Sequence, residues 1–434
     1  MIKTNPQYPV SLIIIGAGSR GTTYASYALQ NPGLATVVAV AEPRQVQQQR
    51  FANQHRLKPD AIYSDWKEIA AKDRFADAVI IATQDSLHTD PAMAFMDKGY
   101  DVLLEKPMAP TAEECRCIVE SALKNKVIFA VCHVLRYTDY TQRLKSLLSE
   151  GVIGRVINIQ HLEPVGYWHQ AHSFVRGNWR KKADSTFMLL AKSCHDLDWI
   201  RYIMDSECTR VSSFGGLAHF RAQERPAEAA ERCLDCALES SCPYSAKKIY
   251  LGRVSNGETG WPVDVITDDV TGKGVMQALQ QGPYGRCVYA CDNDVVDHQV
   301  VNLEFANSCT ASFTMTAFTE ATHRRTRLFG THGEIEGNGA EIDIFDFRRD
   351  EHSVIDVSTS NATILGGHGG GDARLVESFI RAAGERNSDL VLSGPEETLE
   401  THMMVFAAEQ SRIENRVVGI EELTGFCGHF EKNS

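Results

Sequence analysis

The sequence predicts an α/β protein built from a parallel sheet and a second, larger sheet, and three observations predict it. First, short β-branched runs alternate with helical stretches over residues 1–135, the pattern of parallel strands joined by crossover helices. Second, a break at residues 151–154 leads into longer and more polar segments. Third, 434 residues with 43% hydrophobic side chains are enough for two buried cores. We therefore assign residues 1–135 to the first domain and residues 136–434 to the second.

The first domain is predicted to hold five short, apolar and β-branched strands. They cover residues 10–15, 36–41, 78–83, 101–104 and 127–132. The stretches between them are mostly long enough for a helix. Strands and helices in this order are typical of nucleotide-binding domains.

Composition excludes two classes of partner. The chain has 44 Lys plus Arg against 56 Asp plus Glu and a formal net charge of -12, the wrong sign for binding nucleic acid. No apolar run approaches the roughly 20 residues of a membrane helix, and residues 1–10 do not resemble a signal peptide. Most of the 12 cysteines, such as Cys115, Cys117 and Cys132, are expected to be buried, reduced thiols. We therefore expect a cytoplasmic protein.

A glycine turn follows the first strand. The string G-x-G-x-x-G at residues 16–21 stands between an apolar strand and a helical stretch. The first glycine permits a tight turn, the second lets the backbone approach a pyrophosphate, and the third lets the helix pack close to the strand. An ordinary βα turn is the alternative. We predict a dinucleotide site whose residues in this turn are Gly16, Gly18, Ser19, Arg20 and Gly21.

An acidic residue ends the second predicted strand. Glu42 is placed where a carboxylate accepts hydrogen bonds from an adenosine ribose. A carboxylate repels a 2′-phosphate, so the sequence favours NAD over NADP. Arg44, two residues further on, would serve that phosphate and keeps NADP as an alternative.

Four further motifs lie at characteristic places in the order of elements. They are Ala-Thr-Gln-Asp-Ser-Leu-His at residues 82–88, Glu-Lys-Pro at 105–107, Arg-Tyr at 136–137 and Cys-His-Asp-Leu-Asp at 194–198. With the break at 151–154, their order and separations resemble the family of glucose-fructose oxidoreductase, inositol dehydrogenase and MocA. The similarity spans nearly the whole chain.

The resemblance implies a Rossmann domain followed by a mostly antiparallel α/β domain, with the active site between them. It further implies NAD(P)-dependent oxidation of a secondary alcohol in a carbohydrate or cyclitol, and assembly as a homo-oligomer, either dimer or tetramer. Thr83, His88 and Glu105 are then expected at the cofactor. Lys106 is expected near nicotinamide and substrate, and His195 as the acid/base residue.

One position departs from the family pattern. The family often carries an aspartate four residues before its histidine, where this chain has Ala191. Lys192 lies on the same predicted helix as His195, residues 187–202, and we expect it to hold that imidazole neutral. A solvated lysine is the alternative. Lys106 or neutral His195 would take the substrate proton, and the sequence does not decide between them.

Residues 167–180 combine aromatic, His and Arg side chains, a composition that suits carbohydrate. The alternative is a surface loop anchored by its tryptophans. The predicted substrate contacts are His169, His172, Arg176 and Trp179, together with Arg136 and Tyr137 near the cleft.

Residues 205–300 are rich in Cys, Pro and Gly and are predicted to be an insertion without a core of its own. The pattern C-x2-C-x5-C suits a structural zinc that would brace it. A disulfide and free thiols are the alternatives. The predicted ligands are Cys233, Cys236, Cys242 and Cys287, with Cys291 also available as the fourth.

These features together favour an NAD-dependent oxidoreductase that acts on a sugar, a glycoside or a polyol between Lys106 and His195. A rival is an NAD-dependent glycoside hydrolase, which oxidises a ring carbon transiently, eliminates the aglycone, adds water and returns the hydride. The extra histidines at positions 169 and 172 favour the rival. A regulator that has lost catalysis is a third hypothesis, against which Lys106 and His195 argue.

Overall fold

The structure, a computed structural model, describes residues 7–358 and 368–423. Strands and helices alternate through its N-terminal domain. In chain order they are β1 (Val10–Ile15), α1 (Ser19–Gln30), β2 (Ala35–Ala41), α2 (Gln45–His55), β3 (Ile62–Tyr63), α3 (Trp66–Ala70), β4 (Ala78–Ile81), α4 (Thr89–Asp97), β5 (Asp101–Leu104), α5 (Ala112–Asn125) and β6 (Phe129–Val131).

The six strands form one parallel sheet in the order β3-β2-β1-β4-β5-β6. Every residue of β4 and β5 is buried, because helices cover both faces of the sheet. The five predicted strands match β1, β2, β4, β5 and β6 within two residues at each end. The two-residue β3 was missed because it is too short to form a pattern.

The strand order reverses between β1 and β4. The chain runs outward from β1 to β2 and β3, and then returns to the other side of β1. Connections leave in opposite directions at this point, so a crevice opens above the carboxyl ends of β1 and β4. The predicted Rossmann domain is confirmed.

The second domain is built on a nine-stranded sheet. Its elements are α6 (Asp139–Ser149), β7 (Val156–Pro164), α7 (Tyr167–His169), α8 (Met188–Met204), β8 (Cys208–Gly216), α9 (Gly252–Ser255), α10 (Val263–Ile266), α11 (Gly272–Gln281), β9 (His298–Phe305), β10 (Thr310–Thr316), β11 (Arg325–Gly330), β12 (Gly333–Gly337), β13 (Glu341–Asp346), β14 (Glu351–Asp356), α12 (Gly371–Glu385), α13 (Pro395–Glu414) and β15 (Val418–Gly419).

The sheet order is β14-β13-β12-β11-β7-β10-β9-β8-β15. β7 and β10 pair in parallel, and the other neighbouring pairs are antiparallel. Helix α13 packs on α8 and on β8, so these two helices lie on the sheet face that is turned to the core. The predicted large, mostly antiparallel sheet is confirmed.

The Cys-rich insertion differs from its prediction in two ways. Because β8 belongs to the large sheet, the inserted chain between β8 and β9 is residues 217–297, shorter than the predicted 205–300. It also has an apolar core of its own, which includes Tyr250, Val275 and Leu279. The expectation of an insertion without a core is therefore wrong.

Helix α12 belongs by sequence to the second predicted domain but packs on the N-terminal sheet. Its buried residues Leu375, Val376 and Phe379 pack in the same cluster as Leu12 and Ile14 of β1. This helix, which comes near the end of the chain, thus covers the N-terminal sheet. The predicted division at residue 135 lies between the last strand of the first sheet and the first strand of the second, and α12 follows it in sequence although it packs on the first sheet.

Two further sequence expectations are tested by the described residues. Cys115 and Cys132 are buried free thiols, as predicted, whereas Cys117 is disulfide-bonded, which corrects its predicted reduced state. Among the described helices, none is both long enough and apolar enough to cross a membrane.

Candidate active site

The glycine turn connects β1 to α1 at the mouth of the crevice. Gly16 has φ +90°, and a Cβ there would lie 2.6 Å from the carbonyl oxygen of Ala82. A Cβ on Gly21 would lie 1.9 Å from the carbonyl oxygen of Gly16. Larger residues are therefore excluded, and α1 begins at Ser19 with its N-terminus next to the crevice, where it can bind an anion.

Glu42 is buried beside this turn and accepts several hydrogen bonds. The backbone N–H of Ala17 donates to Oε2 at 2.9 Å, and the Nε and Nη2 atoms of Arg44 donate at 2.8 and 2.9 Å. Burial alone would raise the pKa of Glu42, but the hydrogen bonds from Arg44 and Ala17 outweigh it and lower that pKa. Arg44 is thus neutralised by Glu42, and a ribose placed here meets a charged carboxylate.

A second carboxylate reaches this region from the insertion. Gln47 of α2 donates a 3.1 Å hydrogen bond to Oδ1 of Asp268, which also helps to raise the pKa of Arg44. No local pattern indicates a role for Asp268, because it lies more than 200 residues from Gln47 in the chain. The insertion therefore adds negative charge beside the ribose end of the crevice.

Arg20 links the turn to the loop after β5 and to α12. Its Nε lies 2.9 Å from Glu105 Oε1, its guanidinium lies 4.6 Å from the centre of the Tyr24 ring, and it forms an ion pair with Asp372. Arg20 and Glu105, predicted at the cofactor, thus bind each other and hold the crevice wall in place.

His88 is buried between the loops that follow β4 and β5. Nδ1 lies 2.8 Å from the carbonyl oxygen of Pro107, and Nε2 lies 3.2 Å from that of Thr83. Because both ring nitrogens face protein carbonyls, His88 positions these loops and is not free for direct contact with a cofactor. Its predicted role is corrected accordingly.

Lys106 projects from the loop after β5 toward α8. Its Nζ donates a 2.7 Å hydrogen bond to the carbonyl oxygen of Ala191, in the first turn of that helix. The position where the family often has an aspartate therefore contacts the lysine through its backbone oxygen. Lys106 belongs to the N-terminal domain and Ala191 to the second, so the two domains meet at this bond.

His195 lies one turn further along α8 and is 5% exposed. The centres of the His133 and His195 rings are 5.8 Å apart, with an interplanar angle of 81°. The centres of the His133 and His402 rings are 5.4 Å apart. Burial lowers the pKa of His133 to about 3, although Asp198 at 3.7 Å opposes this. A neutral, buried His133 therefore packs against the ring of His195.

Lys192 takes part in a buried ion network. Its Nζ lies 3.2 Å from Glu163 of β7, and Arg324 contacts both Glu163 at 2.9 Å and Asp196 at 2.5 Å. The pKa of His169 lies well below its usual value because of burial and the nearby positive charge of Lys192. Lys192 therefore acts on His169, and its predicted effect on His195 stays a prediction.

Asp85 is a candidate site residue that the prediction omitted, although it lies within the motif at residues 82–88. It is 5% exposed, and one of its carboxylate oxygens has no hydrogen-bond partner among the described residues. Burial raises the pKa of Asp85, and its neighbours Lys106, His88 and Trp179 oppose this shift. Asp85, Lys106 and Trp179 thus come together at the carboxyl edge of the parallel sheet.

Arg136 and Tyr137 do not line the cleft, which corrects two predicted substrate contacts. Arg136 is 1% exposed and donates two 2.8 Å hydrogen bonds to Asp198. The hydroxyl of Tyr137 lies 2.9 Å from Ser393 Oγ and accepts from the backbone N–H of Leu392. Both side chains therefore tie elements together inside the protein.

The predicted sugar-contact segment divides into two parts. His172 and Arg176 lie on a π-helical turn, Gln170–Arg176, that faces the core of the insertion, where His172 Nδ1 contacts the Tyr250 hydroxyl at 2.8 Å. These two predicted contacts are corrected. The positive charges of Lys192 and Lys106, by contrast, both lower the pKa of His169, so this side chain lies near both lysines. His169 and Trp179 remain candidates for substrate contact.

The four predicted zinc ligands share one cavity of about 210 Å³, lined by Cys233, Cys236, Cys242 and Cys287. All four are free thiols. Across the described ranges, no three His, Cys, Asp or Glu side chains stand close enough to hold a metal ion as they are. The structure therefore contains the predicted grouping without a preformed coordination sphere.

Comparison with known proteins identifies the class that this fold and crevice define. Residues 10–133 match the NAD-binding Rossmann domain of the Gfo/Idh/MocA oxidoreductase family, and residues 145–420 match its C-terminal alpha/beta domain. The chain belongs to this family. It is an NAD-dependent oxidoreductase, as the sequence predicted.

Two curated relatives and one solved structure illustrate the similarity. The oxidoreductase YteT of Bacillus subtilis is 24% identical over 80% of this chain and 82% of its own length. The 2,7-anhydro-N-acetylneuraminate hydratase of Mediterraneibacter gnavus is 28% identical over 48% of this chain and 54% of its own. Levoglucosan dehydrogenase with NADH superposes with a TM-score of 0.70 at 18% identity, covering 95% of this chain and 99% of that one.

Proposed function

We propose that the chain oxidises a secondary alcohol of a sugar, a glycoside or a polyol with NAD, between Lys106 and the face of α8 that carries His195. The observation that carries the proposal is the 2.7 Å hydrogen bond from Lys106 Nζ to the Ala191 carbonyl. It brings an amine of one domain against the helix of the other at the edge of the parallel sheet where ligands bind.

The residues of the crevice fit the cofactor. The tight backbone of the turn at residues 16–21 requires glycine at Gly16 and Gly21, and α1 starts directly behind the turn. Glu42 accepts hydrogen bonds from ribose hydroxyls and repels a 2′-phosphate, which favours NAD over NADP. Bound NAD supplies the acceptor for the hydride that leaves the carbinol carbon.

Side chains of this protein accept the hydroxyl proton of the substrate and stabilise the negative charge that develops on its oxygen. His195, which is buried, accepts the hydroxyl proton. Lys106 donates a hydrogen bond to the same oxygen and stabilises its negative charge. Asp85, His169 and Trp179 bind and orient the neighbouring hydroxyls and the apolar face of the ring.

A second candidate function is redox-neutral cleavage or hydration of a glycoside by transient oxidation. Its support is the 28% identity to a 2,7-anhydro-N-acetylneuraminate hydratase and the presence of a third base near Lys106. His169 is held neutral by burial and by Lys192, so it can activate a water molecule.

We also propose a homo-oligomer in the cytoplasm, assembled through the outer face of the large sheet. Phe214 of β8 and Val300 of β9 are direct cross-strand neighbours and are 61% and 39% exposed. Light scattering after gel filtration tests the assembly, and Phe214→Glu should shift it toward the monomer.

The functional test is NADH fluorescence with a panel of polyols, free sugars and glycosides, combined with product analysis. Accumulation of NADH with a sugar or polyol supports the dehydrogenase. Release of an aglycone or addition of water without net NADH supports the second candidate. If NAD binds and no member of the panel is converted, both proposals are wrong.

A further inference from the structure

The cavity that contains the four cysteines also contains a buried cation. Arg176 is 1% exposed and lines this cavity together with Cys233, Cys236, Cys242 and Cys287. Its Nε donates to the carbonyl oxygen of Arg286 and its Nη2 to that of Tyr244, both at 2.8 Å. Nη2 also lies 3.4 Å from Cys233 Sγ.

The charge of Arg176 lacks compensation. Within the described residues it forms no ion pair with a carboxylate, and its buried Nη1 has no hydrogen-bond partner. A guanidinium keeps its charge at every accessible pH, and burial of an unpaired charge is costly. An anion in this cavity would remove the cost, and the groups that face Arg176 there include thiols.

The backbone already brings the thiols from two distant segments together. Residues 232 and 286 form an isolated antiparallel bridge, and the N–H of Cys287 donates a 2.9 Å hydrogen bond to the carbonyl oxygen of Glu231. Cys287 is thereby held beside Cys233, which starts a short 3-10 turn that ends before Cys236. The described residues 217–245 contain no α-helix and no strand, and Phe220, Cys233 and Tyr244 join this segment to the core of the insertion.

From these observations we infer that Cys233, Cys236, Cys242 and Cys287 bind one Zn²⁺ ion as four thiolates, with Arg176 as the neighbouring counter-cation. Binding displaces the four thiol protons to solvent, and no electrons are transferred. The resulting site carries a formal charge of -2, which satisfies the buried guanidinium of Arg176. Arg225, which forms an ion pair with Glu231, also interacts electrostatically with Cys236 and Cys287.

The site forms as the ion binds. The side chains as they stand are too far apart to chelate, so the thiols must turn inward to sulfur-zinc distances of about 2.3 Å. The bound zinc then links the irregular segment 217–245 to the turn that contains Cys287. Four thiolates leave no open coordination position, so the role is structural and is independent of the proposed carbohydrate reaction.

Zinc content of the purified full chain tests this inference. We expect about one zinc per chain by elemental analysis, and near-complete loss of zinc in Cys236→Ser and in Cys242→Ser. Cys291→Ser is the matched control, because Cys291 is a free thiol in the same insertion that does not line the cavity. It should keep its zinc. Arg176→Gln, with all four thiols intact, should weaken zinc binding about tenfold.

A second measurement uses the unaltered chain and does not depend on the folding of a variant. Zinc should protect the four thiols from alkylation, and a chelator should expose them, as mapped by peptide mass spectrometry. An absence of zinc after reconstitution with ZnCl₂ under reducing conditions would overturn the inference. So would zinc that survives both substitutions, a disulfide among the four cysteines, or iron and sulfide in place of zinc.

Discussion

The ammonium of Lys106 donates a 2.7 Å hydrogen bond to the backbone oxygen of Ala191 and so joins the loop after β5 to the start of α8. A side chain at position 191 is not needed for this contact, because the acceptor is a carbonyl. The lysine is therefore oriented without the aspartate that the family often has there. Its role can be tested separately from that of His195.

Replacing Lys106 should slow the chemical step while leaving NAD bound. Lys106→Ala removes the donor that stabilises charge on the reacting oxygen, and we expect kcat to fall by about 10²–10³. NAD affinity, measured by fluorescence titration, should change little. Lys124→Ala, at an exposed lysine of α5, is the control. Unchanged turnover in Lys106→Ala at saturating NAD would rule out the assigned chemistry.

His195→Asn should remove the base without removing hydrogen-bonding capacity. We expect a fall in kcat of about 10²–10⁴, which is the usual contribution of a positioned acid or base. Stopped-flow measurement of NADH formation separates this step from product release. Retention of the full single-turnover rate would assign the proton to another group.

Asp85→Asn should impair substrate binding and alter the pH profile. Loss of a charged hydrogen bond is expected to lower kcat/KM about 10- to 100-fold. Burial raises the pKa of Asp85, so the wild-type rate should fall as pH decreases through that raised pKa, as the carboxylate is protonated. The Asn variant should lack this acidic limb. An identical limb in both proteins would place it on a different group.

Glu42 and Arg44 should set the preference for the cofactor. In Glu42→Ala the guanidinium of Arg44 loses its two hydrogen bonds to Glu42, which are 2.8 and 2.9 Å long, and becomes available to a 2′-phosphate. We expect the NAD to NADP ratio of kcat/KM to drop about tenfold, or about 1.4 kcal/mol. Asp268→Asn should also lower the NAD to NADP ratio of kcat/KM, but by a smaller factor. Arg44→Ala serves as the control and should give no gain with NADP.

The buried histidines should make the fold sensitive to acid. Burial lowers the pKa of His172 to about 3, so below its unfolded value of about 6.5 the unfolded chain binds a proton that the folded chain excludes. The free energy of unfolding should therefore decrease as pH falls from about 6.5 to about 3, by up to about 1.4 kcal/mol per pH unit for this residue. His172→Gln should show a correspondingly smaller slope in urea titrations. Equal slopes would contradict this assignment.

Local patterns were enough to predict the first sheet and the cofactor turn. β4 is buried on both faces and is therefore a continuous apolar run, and Gly16 is required by its positive φ. Both signals lie within a few consecutive residues. The two-residue β3 is held by its neighbour β2 and leaves no such signal.

Contacts between distant residues could not be predicted in the same way. Arg136 follows β6 at the edge where ligands bind and so looked like a substrate residue, but Asp198, 62 residues later, neutralises it. His172 and Arg176 face a core that includes residues as far along the chain as Tyr250 and Arg286, 78 and 110 positions further on. Asp85 was overlooked because its proximity to Lys106 and Trp179 depends on three separate loops.

Helix α12 closes the hydrophobic face of a sheet whose strands were all made more than 200 residues earlier in the chain. During synthesis on the ribosome, α1 and α2 therefore emerge with this face of the sheet, and Leu375, Val376 and Phe379 of α12 complete its cover later. A fragment that stops after β6 would lack this part of its core, so we expect the first half to need residues 371–385 for a stable fold.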